Sequence, residues 1–531
     1  MYPDFIQYLL THPHAYPHQT KQIELVETHI SWVLLAGAFA YKIKKPVNFG
    51  FLDYTHLAQR KFYCEEELRL NRRLAPDLYL ALIALTGSTK APRLNGTGVA
   101  FEYAVKMLRF PQENQLDRLL SRQQLSSQRI DELAQIMARF HQQLPPAAQD
   151  TAWGEPSAIY QPAMDNFTQL GNMLPLNNTL SEQIQHLQQW TVNTYQQLKS
   201  ILIQRKQQGF IRECHGDMHL GNITVMQGKL LIFDGIEFNA QLHWIDVCSE
   251  LAFTLMDLQA HGEMGMARRL LNAYLSHSGD YAGLKVLRFY LVYRAMVRAK
   301  VYALQAQQAK PGSQNHWQAL QALQKYLNLA EIESKRQDKP SLLITYGVSG
   351  SGKSYFSQQL LVQVDVIVLR SDVVRKRLFQ NQSADKATLA SGMYSQQATQ
   401  TTYEYLEQLC HLLLNAGFSV LVDATFLQQS QRQRFAAIAK VAALPFYILD
   451  CQTGEQTCRQ RIEQRLSQHQ DASDATPEVL KYQLQTMQTL TPEEQGYRIP
   501  KLPASRIINL LNPQAAETGI MKPRQLMKHS D

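Results

Sequence analysis

Two short stretches of this chain could handle a phosphorylated nucleotide. The first, "HGDMHLGN", runs from His215 to Asn222. It sets Asp217 five residues before Asn222, and Asp234 ends the apolar run "KLLIFD" twelve residues further on. A carboxylate that positions a hydroxyl, followed by two oxygen ligands for a divalent cation, is what attack of an alcohol on ATP requires. The proposed roles are hydroxyl positioner or base for Asp217 and Mg²⁺ ligands for Asn222 and Asp234. The second stretch, "GVSGSGKS" from Gly347 to Ser354, fits the phosphate-loop pattern at every fixed position. Gly347, Val348, Ser349, Gly350, Ser351 and Gly352 would turn backbone N–H groups toward phosphate oxygens. Lys353 would reach the β- and γ-phosphates, and Ser354 would ligate Mg²⁺.

Each stretch needs a scaffold. For the first, "ETHISWVLLAGAFAYKIKKPV" predicts two strands around a tight turn at Ala36-Gly37. Lys42 lies on the second strand, where it could touch the α/β-phosphates. Lys44 shares its face, so the choice between them stays open. The charged helix "HLAQRKFYCEEELRLNRRLA" offers Glu67, or Glu66, as partner for that lysine. "VAFEYAVKML" predicts the strand that leads to the adenine hinge. A protein kinase would hold a Gly-rich clamp over the phosphates; here the "LLAGAF" turn offers one glycine, Gly37. Long amphipathic stretches from Asp117 to Leu144, Leu180 to Gln208 and His243 to Ile332 predict helices.

For the second stretch, strands and helices alternate from Ser341 onward, the sign of a parallel sheet covered on both faces. Asp372, in "LRSDVVRKRL", sits at a strand's C-terminal edge, where it could orient or deprotonate a substrate hydroxyl; Arg375 lies one turn on. Asp423 ends "VLVD" as a candidate Mg²⁺ ligand. Arg459, Arg461 and Arg465, in "CRQRIEQR", could neutralise a transferring phosphoryl group from a lid.

The "HGDxHxxN" form resembles the aminoglycoside, choline and homoserine phosphotransferases. The residues from Ser341 to about Pro500 resemble the P-loop kinases related to zeta toxins, chloramphenicol phosphotransferase and polynucleotide kinase. The whole chain looks like bacterial proteins that fuse an aminoglycoside phosphotransferase-like domain to an AAA-type ATP-binding domain. The resemblance implies a protein-kinase-like bilobal domain over residues 1–330, with lobes at about 20–108 and 109–330. It further implies a linker at 331–340, a three-layer α/β/α P-loop domain at 341–511 and a polar tail at 512–531. The cofactors implied are ATP and Mg²⁺; the motifs do not identify an acceptor, and on the reading of two phosphotransferase domains the acceptors would be small hydroxylated molecules.

Composition sets the outer limits. A length of 531 residues needs more than one core, and 18% charged residues beside 45% hydrophobic ones is a globular balance. The net charge of +8 is dispersed rather than blocked, which suits anionic ligands and weighs against nucleic acid. Six scattered cysteines with no CxxC pair make neither a disulfide framework nor a zinc site. With no secretory-type N-terminus and no long apolar run, the expected location is the cytoplasm. His12, His14 and His18 cluster near the N-terminus, either as metal ligands or as a solvated segment.

Overall fold

The computed structural model describes residues 2–48, 50, 52–173, 178–337, 339–379, 395–468 and 475–500. The expected tail at 512–531, and the end of the expected P-loop domain after Pro500, lie outside them. The chain divides into two compact units. One is Met1–Gly262 with Val286–Lys335; the other is Glu263–Lys285 with the chain from Arg336 onward.

In the first unit, six strands form an antiparallel sheet in the order β1-β2-β3-β6-β4-β5. They are β1 (Ile23–Glu27), β2 (Ser31–Ala36), β3 (Phe39–Lys44), β4 (Tyr79–Ser88), β5 (Ala91–Leu94) and β6 (Glu102–Leu108). Side chains alternate across it with period two. Trp32, Leu34, Tyr41 and Ile43 pack against Phe5, Ile6 and Leu9 of the helix Asp4–Thr11. Ala40, Val105 and Met107 face Cys64 and Leu68 of the helix Leu57–Asn71. Lys42 and Lys44 alternate with Tyr41 and Ile43, so both lysines point toward that second helix. Helices dominate the rest of the unit. Two small ribbons interrupt them. β7 (Ile211–Glu213) pairs with β10 (Trp244–Asp246), and β8 (Ile223–Met226) pairs with β9 (Lys229–Ile232). The β8–β9 turn places Gln227 at φ 51° and Gly228 at φ 79°, the double positive φ of a two-residue hairpin.

The helix Gln314–Lys335 runs through Glu331–Lys335, the first half of the expected linker. Buried Leu327, Ala330 and Glu333 hold it to the unit.

In the second unit, five parallel strands follow the order β12-β13-β11-β14-β15. They are β11 (Leu342–Tyr346), β12 (Val366–Arg370), β13 (Ser419–Asp423), β14 (Phe446–Asp450) and β15 (Arg498–Pro500). β11 sits in the middle and is buried at every residue, as a parallel strand covered on both faces must be. The segment Glu263–Lys285 joins this unit through its helix Met264–Ser278. Asn272 Nδ2 donates to Val366 O at 3.1 Å, and Asn272 Oδ1 accepts the Val368 N–H at 2.7 Å. One side chain thus satisfies two backbone groups on the open edge of β12.

Candidate active sites

In the first unit the helix Leu57–Asn71 presents Glu67 to both lysines. Lys42 Nζ lies 2.8 Å from Glu67 Oε1, and Lys44 Nζ lies 2.8 Å from Glu67 Oε2. Glu66 instead pairs with Arg69, which reaches on to Glu213. One residue along a helix is a turn of about 100°, so only one of two adjacent glutamates can face the sheet. Lys42 also reaches Asp234 Oδ1 at 2.5 Å. Lys44 is taken up differently, by Glu237 and by the Tyr54 hydroxyl at 3.3 Å. Tyr54 in turn donates to Glu237 at 2.6 Å. Burial works against the charge on Lys42, but Asp234 and Glu67 outweigh it and hold its pKa above the usual lysine range. Lys42 therefore faces Asp234, while Lys44 is sealed behind it with 1% side-chain exposure.

The stretch from His215 to Asn222 is anchored at its start by Glu250. Its carboxylate accepts the His215 N–H at 2.8 Å and the Gly216 N–H at 2.7 Å, and lies 3.1 Å from His141 Nε2. Burial raises its pKa, but His141, His215 and the backbone donors bring it down to about 2. Gly216 has φ 88°, and a Cβ there would sit 2.8 Å from Leu242 O, so the bend into Asp217 requires glycine. His215 Nε2 lies 2.9 Å from Phe233 O while Nδ1 accepts the Asp217 N–H, which ties this loop to the end of β9. Asn222 Nδ2 donates to Asp217 Oδ2 and to Asp217 O, each at 3.0 Å. Asp234 takes φ 62°, its N–H bonded to the Tyr79 hydroxyl at 3.0 Å. Glu67, Lys42 and Asp234 thus form one ion-pair chain and Asp217 and Asn222 a hydrogen-bonded pair, the Phe233 N–H donating to Asn222 O at 2.9 Å between them. Burial raises the pKa of Asp217, but His219, Arg298 and His215 hold it well below the usual carboxylate range.

The "LLAGAF" glycine and the Lys44 end of β3 lie at opposite ends of that strand. Gly37 and Ala38 form the β2–β3 turn, next to Phe39, which pairs with Leu108 at the C-terminal end of β6. The opposite end of β3, beyond Lys42, lies beside the β1–β2 turn Thr28–Ile30, where Ser31 pairs with Lys44. That turn contains no glycine.

In the second unit the loop 347–352 leads from β11 into the helix Lys353–Leu361. Gly350 has φ 78°, and a Cβ there would meet Cys458 O at 2.5 Å, so the loop's path excludes a side chain. Lys353 Nζ folds back onto Val348 O at 2.8 Å. Burial lowers its pKa, against the pull of Asp423 and Asp372. Asp423, at the end of β13, hydrogen-bonds Ser354, while its buried Oδ2 has no hydrogen-bond partner and lies 3.9 Å from Arg370 Nε. Burial raises its pKa, opposed by Lys353, Arg370 and Ser354. Asp372 stands in the first turn of the helix Ser371–Leu378, close enough that its charge acts on both Lys353 and Asp423. Its charge and that of Arg375 also reach Tyr403. Of the three arginines on the helix Glu455–Gln468, Arg461 alone bonds the loop, donating to Gly350 O at 3.3 Å. Arg459 pairs with Glu455 of its own helix, and Arg465 donates to Ala475 O. The Ser349 N–H donates to Gln483 Oε1 at 2.7 Å.

Glu237, Tyr54, Glu250 and Gln483 were not anticipated. Glu237 follows Asp234 by three residues, a spacing that could have marked it; the other three carry no local signal. The N-terminal histidines do not converge as a ligand group among the described residues. His12 stacks on Tyr8 and His18 lies 3.1 Å from the Tyr41 hydroxyl. No helix among the described residues is long and apolar enough to cross a membrane.

Residues 64–289 match the family model described as the phosphotransferase enzyme family, and residues 342–490 match that described as an AAA domain. An uncharacterized protein of Mycobacterium tuberculosis is 28% identical over 465 residues, spanning 86% of this chain and 88% of its own. A Mycobacterium bovis protein matches to the same extent. Among solved structures, an amicoumacin kinase is 15% identical, covers 61% of this chain and 91% of its own, and gives a TM-score of 0.39. An APS kinase of Mycobacterium tuberculosis is 20% identical, covers 33% and 99%, and gives 0.26.

Proposed function

From a chain that joins a phosphotransferase-family domain to an AAA-type P-loop domain, we propose an ATP-dependent phosphotransferase with two Mg·ATP sites. Each site transfers a phosphoryl group to a hydroxyl of its own small-molecule acceptor. The observation that carries this reading is the ion-pair chain Glu67–Lys42–Asp234 in the same unit as the Asp217–Asn222 pair. A module that only binds ligand has no chemical need for a hydroxyl-orienting carboxylate beside two metal-type oxygens.

The donor sets suit a magnesium nucleotide. Asp423 leaves a buried carboxylate oxygen without a hydrogen-bond partner, and Asp234 keeps 47% of its side chain exposed beside Lys42. Mg·ATP, when bound, supplies the phosphoryl group and the cationic charge these carboxylates call for. Asn222 and Asp234 would hold the metal in the first site; Ser354 and Asp423 would hold it in the second. Lys42, kept in place by Glu67, and Lys353 with loop 347–352 would bind phosphates.

Asp217 would accept a hydrogen bond from the acceptor hydroxyl and aim its oxygen at the phosphorus. With its pKa held low it is a weak base, so orientation comes first and proton acceptance late, as a loose phosphoryl transition state permits. Asp372 would play that part in the second site, with Arg461 as the lid cation beside the loop. Arg459 and Arg465 remain candidates for a closed state.

A second reading has one observation in its favour. The glycine-free Thr28–Ile30 turn suits a first domain that binds nucleotide or ligand without transfer, the second domain then hydrolysing ATP to drive a regulatory change. The test is Mg-dependent ATP turnover without acceptor, then with a panel of small hydroxyl compounds, for wild type, Asp217→Asn and Lys353→Ala. Two separable acceptor-dependent activities support the first reading. Turnover that ignores acceptors and answers only to Lys353→Ala supports the second.

A further inference from the structure

Asp217 has neighbours that phosphate and metal binding leave unexplained. His219 places Nε2 3.6 Å from Asp217 Oδ2. Its Nδ1 accepts the Gly221 N–H at 3.1 Å, so the ring proton sits on Nε2, on the Asp217 side. Arg298, on the helix Leu284–Gln308, is the second neighbour. Its guanidinium lies over the rings of Tyr302 at 5.1 Å and Tyr326 at 5.7 Å. Its Nη2 donates to the Tyr302 hydroxyl at 3.0 Å, but its buried Nε has no hydrogen-bond partner. No carboxylate pairs with Arg298 within 4 Å among the described residues.

Arg298 lies over the ring of Tyr326, whose hydroxyl is bonded to Asp257, and its charge acts on Asp257 and Asp217. Asp257 is already committed, accepting the Leu220 N–H at 3.0 Å and the Tyr326 hydroxyl at 2.9 Å. Lys325, over the Tyr326 ring at 5.1 Å, adds a further cation whose charge environment includes Asp257 and Arg298. A partly buried guanidinium whose Nε has no partner is costly unless an anion takes up its free donors. All these groups come from helices and loops after residue 216, and none from the sheet that carries Lys42. Through Asp257 and Leu220 this cluster is tied to the loop that carries Asp217.

We propose that Arg298, with His219, forms an anion-binding pocket beside Asp217 that selects acceptors carrying a carboxylate or phosphate near the reacting hydroxyl. The proposal rests on Asp217 being the hydroxyl-orienting group of the first site. Arg298 supplies planar paired donors for the anion, and His219 Nε2–H a third. Asp217, free of a tight ion pair with Arg298, remains available to the hydroxyl.

The test uses the full chain carrying Lys353→Ala, which silences the second site, saturated with Mg·AMP-PNP. Inorganic sulfate is titrated by calorimetry with and without Arg298→Gln. The expected result is sulfate binding that weakens about tenfold or more in Arg298→Gln, with AMP-PNP affinity unchanged as the check on folding. Turnover is then compared within matched acceptors: glycerol, glycerate and glycerol 3-phosphate; glucose, gluconate and glucose 6-phosphate. An anionic member should exceed its neutral parent by about tenfold in kcat/KM, and Arg298→Gln should abolish that preference through acceptor KM. Which member wins separates carboxylate from phosphate. Sulfate binding indifferent to Arg298→Gln, or preference for a neutral or cationic acceptor, overturns the proposal. Arg298-dependent sulfate binding without any Asp217-dependent turnover leaves the pocket standing and removes the transferase reading. Asp217-dependent turnover with a preference untouched by Arg298→Gln does the reverse.

Discussion

The two candidate sites solve one electrostatic problem from opposite directions. In the first, the candidate phosphate lysine is already engaged: Lys42 bridges Glu67 and Asp234, residues 25 and 192 positions away in the chain. In the second, Lys353 bends onto Val348 O five residues back, and the cradle is one contiguous loop. The first site is therefore a product of tertiary packing and is only as stable as the unit around it. The second is a local backbone device at a helix N-terminus, and needs the sheet chiefly to deliver Asp423.

The largest effects should come from the residues each site cannot share. Asp217→Asn is expected to lower one acceptor-dependent activity by about a thousandfold, and Lys353→Ala the other by a similar factor. Each should leave its counterpart within about twofold, measured as initial rates with separate acceptors. A single variant that removes both activities would break the comparison.

Next in size is the stability contrast. Glu67→Ala leaves Lys42 with Asp234 and Lys44 with Glu237 and Tyr54 but removes the buried carboxylate they share, and the first unit should lose about 1–3 kcal/mol in denaturant unfolding. Glu66→Ala, on the solvent side with Arg69, should stay within about 0.5 kcal/mol.

The anchor at the start of the stretch from His215 to Asn222 adds a pH test. Glu250 has its pKa brought down to about 2 from a usual 4.5. A lowered folded-state carboxylate stabilises above its unfolded pKa and loses that contribution as pH falls through the folded one. Amide exchange at His215 and Gly216 should therefore accelerate, relative to the unit's core, between about pH 4.5 and pH 2. Glu250→Gln should flatten that dependence.

The smallest effect sharpens the lid. Arg461→Ala, which removes the contact with Gly350 O, should slow the second activity by about three- to tenfold. Arg459→Ala, paired only on its own exposed helix turn, should change it by less than about twofold if no closure recruits it. Single-turnover rates distinguish them.

What could be read ahead of the structure follows the same division. The phosphate loop was legible because eight consecutive residues carry it. The "HGDMHLGN" set was legible because its order along the chain is fixed even though its parts are scattered. The Lys42/Lys44 and Glu66/Glu67 choices were not, because each depends on how a strand face meets a helix face. β4, "YLALIALTGS", escaped notice since its leucines and alanines favour helix as readily as strand, and its neighbours β5 and β6 decide the matter. Glu250 is unreadable in sequence: it acts through backbone N–H groups 34 and 35 residues away. The "LLAGAF" glycine is local and visible, whereas which turn lies beside the Lys44 end of β3 is set by strand pairing.

The central claim is that one chain holds two independent Mg·ATP sites. Calorimetric titration with Mg·AMP-PNP counts them directly. The account predicts two nucleotides per chain in the wild type, and one in each of Lys42→Ala and Lys353→Ala. A single nucleotide in the wild type, lost entirely in either variant, would contradict it.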